Sequence, residues 1–168
     1  MQFAKDSFYA ALRDRLAVVN PTRTVTVNGA VRAAVIVAEN EPSTASLPLA
    51  NAFYLGWSAA QLVPGESKAK RPLVALSCHI TYGTSGSLDG AVDRGRVLGA
   101  LDSELFAICS PGRTSKRDLT QAPAADLGSF VIWTEPQMKD VQIDRKSGLA
   151  LLRTAEVTVF FFPEVDWS

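Results

Sequence analysis

The run from Leu149 to Phe162, LALLRTAEVTVFFF, limits the possible folds more than any other stretch of this chain. It contains no glycine or proline, turns rich in β-branched and aromatic residues from Thr154 onward, and reads as one long closing strand. Successive side chains on a strand point to opposite faces, so Phe160, Phe161 and Phe162 must occupy both faces of a sheet. One face packs under a helix, and the other is left for a neighbouring subunit to cover. Phe130–Glu135 reads as the strand before it, joined through a polar turn at residues 136–148, so the last two strands form a hairpin.

The rest of the chain supplies the cover. Phe3, Phe8, Ala11, Leu12 and Leu16 recur at helical spacing and predict an amphipathic helix over residues 3–18, ended by Asn20-Pro21. From Thr22 the period changes to two, and Asn28-Gly29 stands between two apolar segments, the pairing that suits a two-residue type I′ hairpin turn. The second arm, AAVIVAEN, hardly alternates and reads as a strand buried on both faces. A small-residue and proline stretch from Pro42 to Asn51 reads as a loop. The strands AFYLGWSAAQLV and LVALSCHITYGTS then pair as a hairpin across the polar turn at residues 64–72. Residues 87–109 carry the strongest helical pattern, with Leu88, Ala91, Val92, Leu98, Leu101, Leu105 and Ile108 on one stripe, Ser87 as N-cap and Pro111-Gly112 as the stop. Gly90, Gly95 and Gly99 each weaken that helix by up to about 1 kcal/mol, so at least one is expected to let the helix approach the sheet closely. Residues 110–129 show little periodicity and read as a long loop. The expected fold is α+β: a single mixed or antiparallel sheet of about six strands, an N-terminal helix and one long helix packed on it, in one domain over residues 1–168.

Composition excludes several function classes. Lysine plus arginine total 17 and aspartate plus glutamate total 17, so the whole chain has no electrostatic bias toward nucleic acid, an anionic membrane or an acidic substrate. Cys78 and Cys109 are too few for a disulfide framework and lack CxxC spacing. Asp6, Arg13 and Asp14 interrupt the N-terminus where a signal peptide would be apolar, and no apolar run approaches the roughly 20 residues of a membrane span, so the chain reads as soluble and cytoplasmic where it is made.

No motif specifies a reaction. Cys78 and His79 are adjacent strand residues on opposite faces and cannot readily act as a nucleophile and base pair, which favours structural roles for both and for Cys109. GTSGS, residues 83–87, sits between a strand and a helix where a phosphate nest is conceivable, yet it lacks the lysine and spacing of a phosphate loop and reads as a tight turn. Asp89, Asp93, Asp102 and Glu104 alternate with Arg94 and Arg96 and read as a solvated or subunit-facing side with ion pairs. No metal-ligand spacing or cofactor motif is present, so no metal, cofactor or catalytic residue is assigned. Trp57, Trp133 and Trp167 read as core and subunit contacts. Arg113, Lys116 and Arg117 form the one local basic cluster, without interleaved aromatics for stacking on a nucleic acid strand, and are the candidate partner contacts.

The order of elements resembles that of phage tail terminator and tail completion proteins. The resemblance rests on FYAALRDRL, the first strand pair around VNG and VIVAEN, the hairpin arm RPLVALSCHITYG, the helix opening LDGAVDRGRVLGAL and the closing EVTVFFFPE, and it covers most of the chain. It implies a non-enzymatic subunit of a homo-oligomeric ring that caps a tail tube and meets head-connector proteins, cytoplasmic when made and part of a virion or phage-like tail when assembled. The alternative is a small intracellular α+β enzyme or ligand-binding module with its pocket near the Gly83–Ser87 turn.

Overall fold

Ala4, Phe8, Leu12 and Leu16 follow one another every fourth residue and are all fully buried, which makes them the inward stripe of α1 (Gln2–Val19). The Asn20 amide donates to the Leu16 carbonyl at 2.8 Å and Pro21 stops the helix, as the sequence predicts. In this computed structural model residues 1–40, 51–64, 72–87, 92–145 and 150–164 are described. The strands β1 (Thr24–Val27) and β2 (Ala30–Ala33) form an antiparallel ribbon. Its turn residues Asn28 and Gly29 have φ of 51° and 79°, the left-handed values that a type I′ turn demands.

The apolar segment from Ala30 to Glu39 is divided in two, and of the expected strand AAVIVAEN Ala33 ends β2 while Val35–Val37 form the next strand. Only β3 (Val35–Val37) is buried throughout and belongs to the main sheet. Between the two, the Ala34 amide donates to Arg23 of the ribbon at 3.0 Å while its carbonyl accepts from Phe53 of the sheet at 2.8 Å. β4 (Phe53–Trp57), β5 (Gln61–Leu62) and β6 (Val74–Thr84) follow, and both β4 and β5 lie antiparallel to β6, the pairing expected of that hairpin. The expected loop over residues 42–51 and the hairpin tip at 64–72 fall largely outside the described residues.

The long helix is shorter than its pattern suggests: α2 spans Arg94–Ile108. Ser87 is not its N-cap, since the Ser87 amide and hydroxyl both donate to the carboxylate of Asp93, the residue before the helix. Asp89 and Gly90 lie outside the described residues. Neither Gly95 nor Gly99 permits a close approach, because a Cβ at either would meet nothing within 4 Å. That role belongs to Gly83, where a Cβ would lie 2.6 Å from the Leu151 carbonyl oxygen of the neighbouring strand.

The largest correction concerns residues 110–129. They hold β7 (Gly112–Asp118) and the start of β8 (Ala125–Trp133), paired antiparallel from Gly112↔Trp133 to Asp118↔Ala125 with a bulge between Ser115 and Arg117. β7 reads GRTSKRD, polar on both faces, so its alternation leaves no trace in hydropathy. Two short strands, β9 (Gln137–Met138) and β10 (Gln142–Asp144), lie within the expected polar turn, and β11 (Ala150–Phe161) closes the fold. The protein is α+β, but among the described residues its mixed sheet has nine strands rather than about six, in the order β3-β4-β6-β11-β8-β7, with β5 on β6 and with β9 and β10 on β11. Among the described residues only β3 and β4 run parallel.

Both helices pack on one face of this sheet, α1 over β3, β7 and β8 and α2 over β6 and β11. Phe8 stands edge-on to Trp57 at 5.8 Å and to Trp133 at 5.3 Å, holding β4 and β8 to the same helix. Arg15 of α1 donates to the carbonyls of Ile108 and Ser110 at 2.9 and 3.0 Å, satisfying acceptors at the end of α2. No helix among the described residues is long and apolar enough to cross a membrane.

Candidate interaction surface

The sheet's outer face is composed of the residues that alternate with the core. Val74, Leu76, Cys78, Ile80 and Tyr82 of β6 point inward with Ala155, Val157, Val159 and Phe161 of β11, which leaves Ala75, Ser77, His79 and Thr81 outward beside Thr154, Glu156, Thr158 and Phe160. No helix among the described residues packs on this side. Its middle is polar. Ser77 donates to Glu156 at 2.6 Å, Lys139 pairs with the other Glu156 oxygen at 3.4 Å, and the Thr81 and Thr154 hydroxyls lie 3.1 Å apart. The Ser77 hydrogen bond, aided by Lys139, holds the Glu156 carboxyl below the ordinary glutamate range.

One end of this face is apolar. Ile132 of β8 lies opposite Phe160 of β11, and with Phe130, Phe162 and Leu73 they line a groove of about 410 Å³. Phe130, Ile132 and Phe162 remain 47%, 50% and 41% exposed. The groove forms where β8 and β11 part. The two strands pair only from Val131↔Phe161 to Trp133↔Val159, and Phe162 continues past the end of β11. Phe161 points into the core while Phe162 stays exposed, so the three phenylalanines do divide between two environments.

The predicted basic cluster is split by the same alternation. Arg113 lies opposite Ile132 on the outer face, with its guanidinium 4.8 Å from the centre of the Phe130 ring. Arg117 is exposed on that face opposite Asp126. Lys116 points the other way and is 3% exposed. Its ammonium donates to the Phe162 carbonyl at 2.6 Å and pairs with Glu164 at 2.8 Å, so it secures the end of β11 instead of facing solvent. Phe130 and Ile132 belonged to a legible strand in the sequence; what placed them beside the arginines is the β7–β8 pairing, which the sequence does not reveal.

The groups with potential reactivity are held in structural contacts. Cys78 faces the core and His79 the outer face. Burial pushes the Cys78 thiol well above its ordinary value and the Cys109 thiol up to about 12, with Arg15 opposing the latter, so neither forms a thiolate near neutral pH. On α2, Asp102 accepts from the Tyr82 hydroxyl at 2.6 Å and pairs with Arg153 at 3.4 Å. Glu104 accepts from Asn20 at 2.7 Å and from Arg23 through both Nε and Nη2. Burial and the Asp102 carboxylate both raise the Tyr82 hydroxyl, keeping it protonated. At the Gly83–Ser87 turn the Thr84 hydroxyl accepts from the Gly86 amide at 3.0 Å, and α2 begins only at Arg94, so this turn does not itself open the helix. A second hollow of about 410 Å³ lies among Asp14, Arg15, Val18, Val19, Ala107 and Ser110, at the end of the helical layer. Among the described residues no group of three or more histidine, cysteine or acidic side chains is placed to hold a metal ion. Trp57 and Trp133 are core contacts of Phe8, and Trp167 lies outside the described residues.

Comparison with known proteins yields no family model that matches this chain and no curated protein that matches its sequence.

Proposed function

We propose that this chain is a structural subunit of a phage or phage-like tail, a terminator or completion protein that forms a homo-oligomeric ring, caps the tail tube and meets head-connector proteins. The observation that carries the reading is the distribution of chemistry: the cysteines are buried and the α2 carboxylates Asp102 and Glu104 are paired inside the fold, while no helix among the described residues covers the outer sheet face, apolar at one end. The order of elements, an N-terminal helix, paired strands, a second helix and a run of strands that closes with the long antiparallel β11, supports the same role. In the helical layer Val18 and Val19 of α1 line a hollow with Ala107 of α2, whose neighbour Phe106 is also exposed, and these apolar groups supply a helix face for a neighbouring copy. Its position in the helical layer, across the core from the open sheet face, suits a subunit that meets its own kind and a different partner through separate surfaces.

Solution mass by light scattering over a concentration series at two salt concentrations tests the proposal. The expected result is a discrete closed oligomer that Val18→Asp with Phe106→Asp converts to monomer without loss of fold. A monomer at every concentration, with no binding to isolated tail tubes, would overturn it.

A further inference from the structure

The groove between β8 and β11 has three properties that together specify an occupant. It is apolar, with Phe130, Ile132 and Phe162 each close to half exposed. Cationic groups stand beside it on the same sheet face: the Arg113 guanidinium lies over the Phe130 ring, Arg117 follows along β7, and neither pairs with a carboxylate among the described residues. Asp126, the residue opposite Arg117, turns its Oδ1 to the Gly128 amide at 2.8 Å instead. Finally, one wall is a strand edge. Among the described residues β8 carries β11 only at Val131–Trp133, so its stretch 125–130 has β7 on one side and no strand on the other.

We propose that this groove docks an extended, carboxylate-bearing segment of a partner protein, with apolar side chains on Phe130, Ile132 and Phe162 and carboxylates on Arg113 and Arg117. An extended segment fits because an unpaired strand edge offers backbone groups for β-addition, while the adjoining hollow takes alternate side chains. Acidic side chains fit because guanidinium groups pair with carboxylates through two parallel hydrogen bonds. Two arginines are too few for the phosphate contacts that hold nucleic acid, and too few for the basic clusters that hold anionic membranes. The inference rests on the proposed assembly role for the existence of a partner and on this surface alone for the partner's chemistry.

The test is selection from a displayed library of random peptides on the immobilised full chain, followed by fluorescence polarisation with the recovered sequences. Recovered peptides should combine aspartate or glutamate with aromatic or branched aliphatic residues. Their affinity should fall about tenfold or more for Arg113→Glu with Arg117→Glu and for Ile132→Asp, and stay unchanged for Val18→Asp. Phe162→Ser replaces Ile132→Asp if circular dichroism shows that the latter is unfolded. The proposal is overturned if no peptide is enriched, if the enriched peptides lack acids, or if the groove variants leave their affinity unchanged. It is equally overturned if those variants alter the solution mass without peptide binding, which would give the surface to a second copy. Peptide binding by a strictly monomeric chain would remove the ring and keep the groove; a ring that binds no peptide would do the reverse.

Discussion

At Lys116 an ammonium that is 3% exposed holds the Phe162 carbonyl and the Glu164 carboxylate together. Removing it leaves the Phe162 carbonyl without its donor and the Glu164 carboxylate with only the Met1 ammonium, so Lys116→Ala should lower stability by about 1–3 kcal/mol. Arg113→Ala and Arg117→Ala should stay within about 0.5 kcal/mol, and urea midpoints compare the three directly. A glycine pair gives opposite signs: Gly83→Ala forces a Cβ onto the Leu151 carbonyl and should cost about 1–3 kcal/mol, whereas Gly95→Ala and Gly99→Ala meet open space and should each add about 0.5–1 kcal/mol. Asp118 supplies the pH dependence. Its carboxyl is held below the ordinary range by the Thr120 hydroxyl, the Thr120 amide and Gln121. The folded value lies below the unfolded one, so this stabilisation is complete above the ordinary aspartate range and disappears as pH falls through the folded value. Asp118→Asn should therefore flatten the acid side of a stability profile recorded from about pH 7 to about pH 3. At this scale the opposed faces of Cys78 and His79 were legible from adjacency alone. The inward turn of Lys116 was not, because a polar strand gives no hint of which alternate residues are buried.

Among the elements, those with an apolar face declared themselves. α1, the Asn28-Gly29 hairpin, β6 and β11 all follow from periodicity and turn chemistry, and their partners from alternation. The elements missed in the sequence lack such a face or are very short: β7 is polar throughout, β9 has two residues and β10 three. Their existence depends on the neighbour that supplies hydrogen bonds, which is tertiary information. Hydrogen exchange separates the β7–β8 hairpin from an open loop. Amides of Arg113–Ser115 that pair with Phe130–Ile132 should exchange orders of magnitude more slowly than those of the turn at 119–124. The ribbon makes a narrower prediction. Gly29 has φ of 79°, so Gly29→Ala should destabilise by about 1 kcal/mol and raise exchange in β1 and β2 ahead of the main sheet.

For the molecule as a whole, the α+β class and the placement of two helices on a sheet were legible, while the width of the sheet and the position of the groove were not. The groove requires β8 and β11 to pair for three residues and then diverge, a matter of register and not of composition. The proposed docking surface therefore draws on residues as distant in sequence as Arg113 and Phe162, of which the basic cluster supplies only one side.

The position of α1 bears on how the chain is made. Its buried stripe packs against β7 and β8, and Ser7 accepts the Arg117 amide at 2.9 Å across 110 residues of sequence. During synthesis the helix emerges before β7 and β8, which cover much of it and follow about 100 residues later. The early partners β3 and Trp57 cover only part of its apolar stripe, and the rest waits for β7 and β8, so completing this layer is a long-range closure. A nascent chain interrupted before residue 112 should bind chaperones through this first helix and release them once Trp133 has been added and Phe8 can close against it.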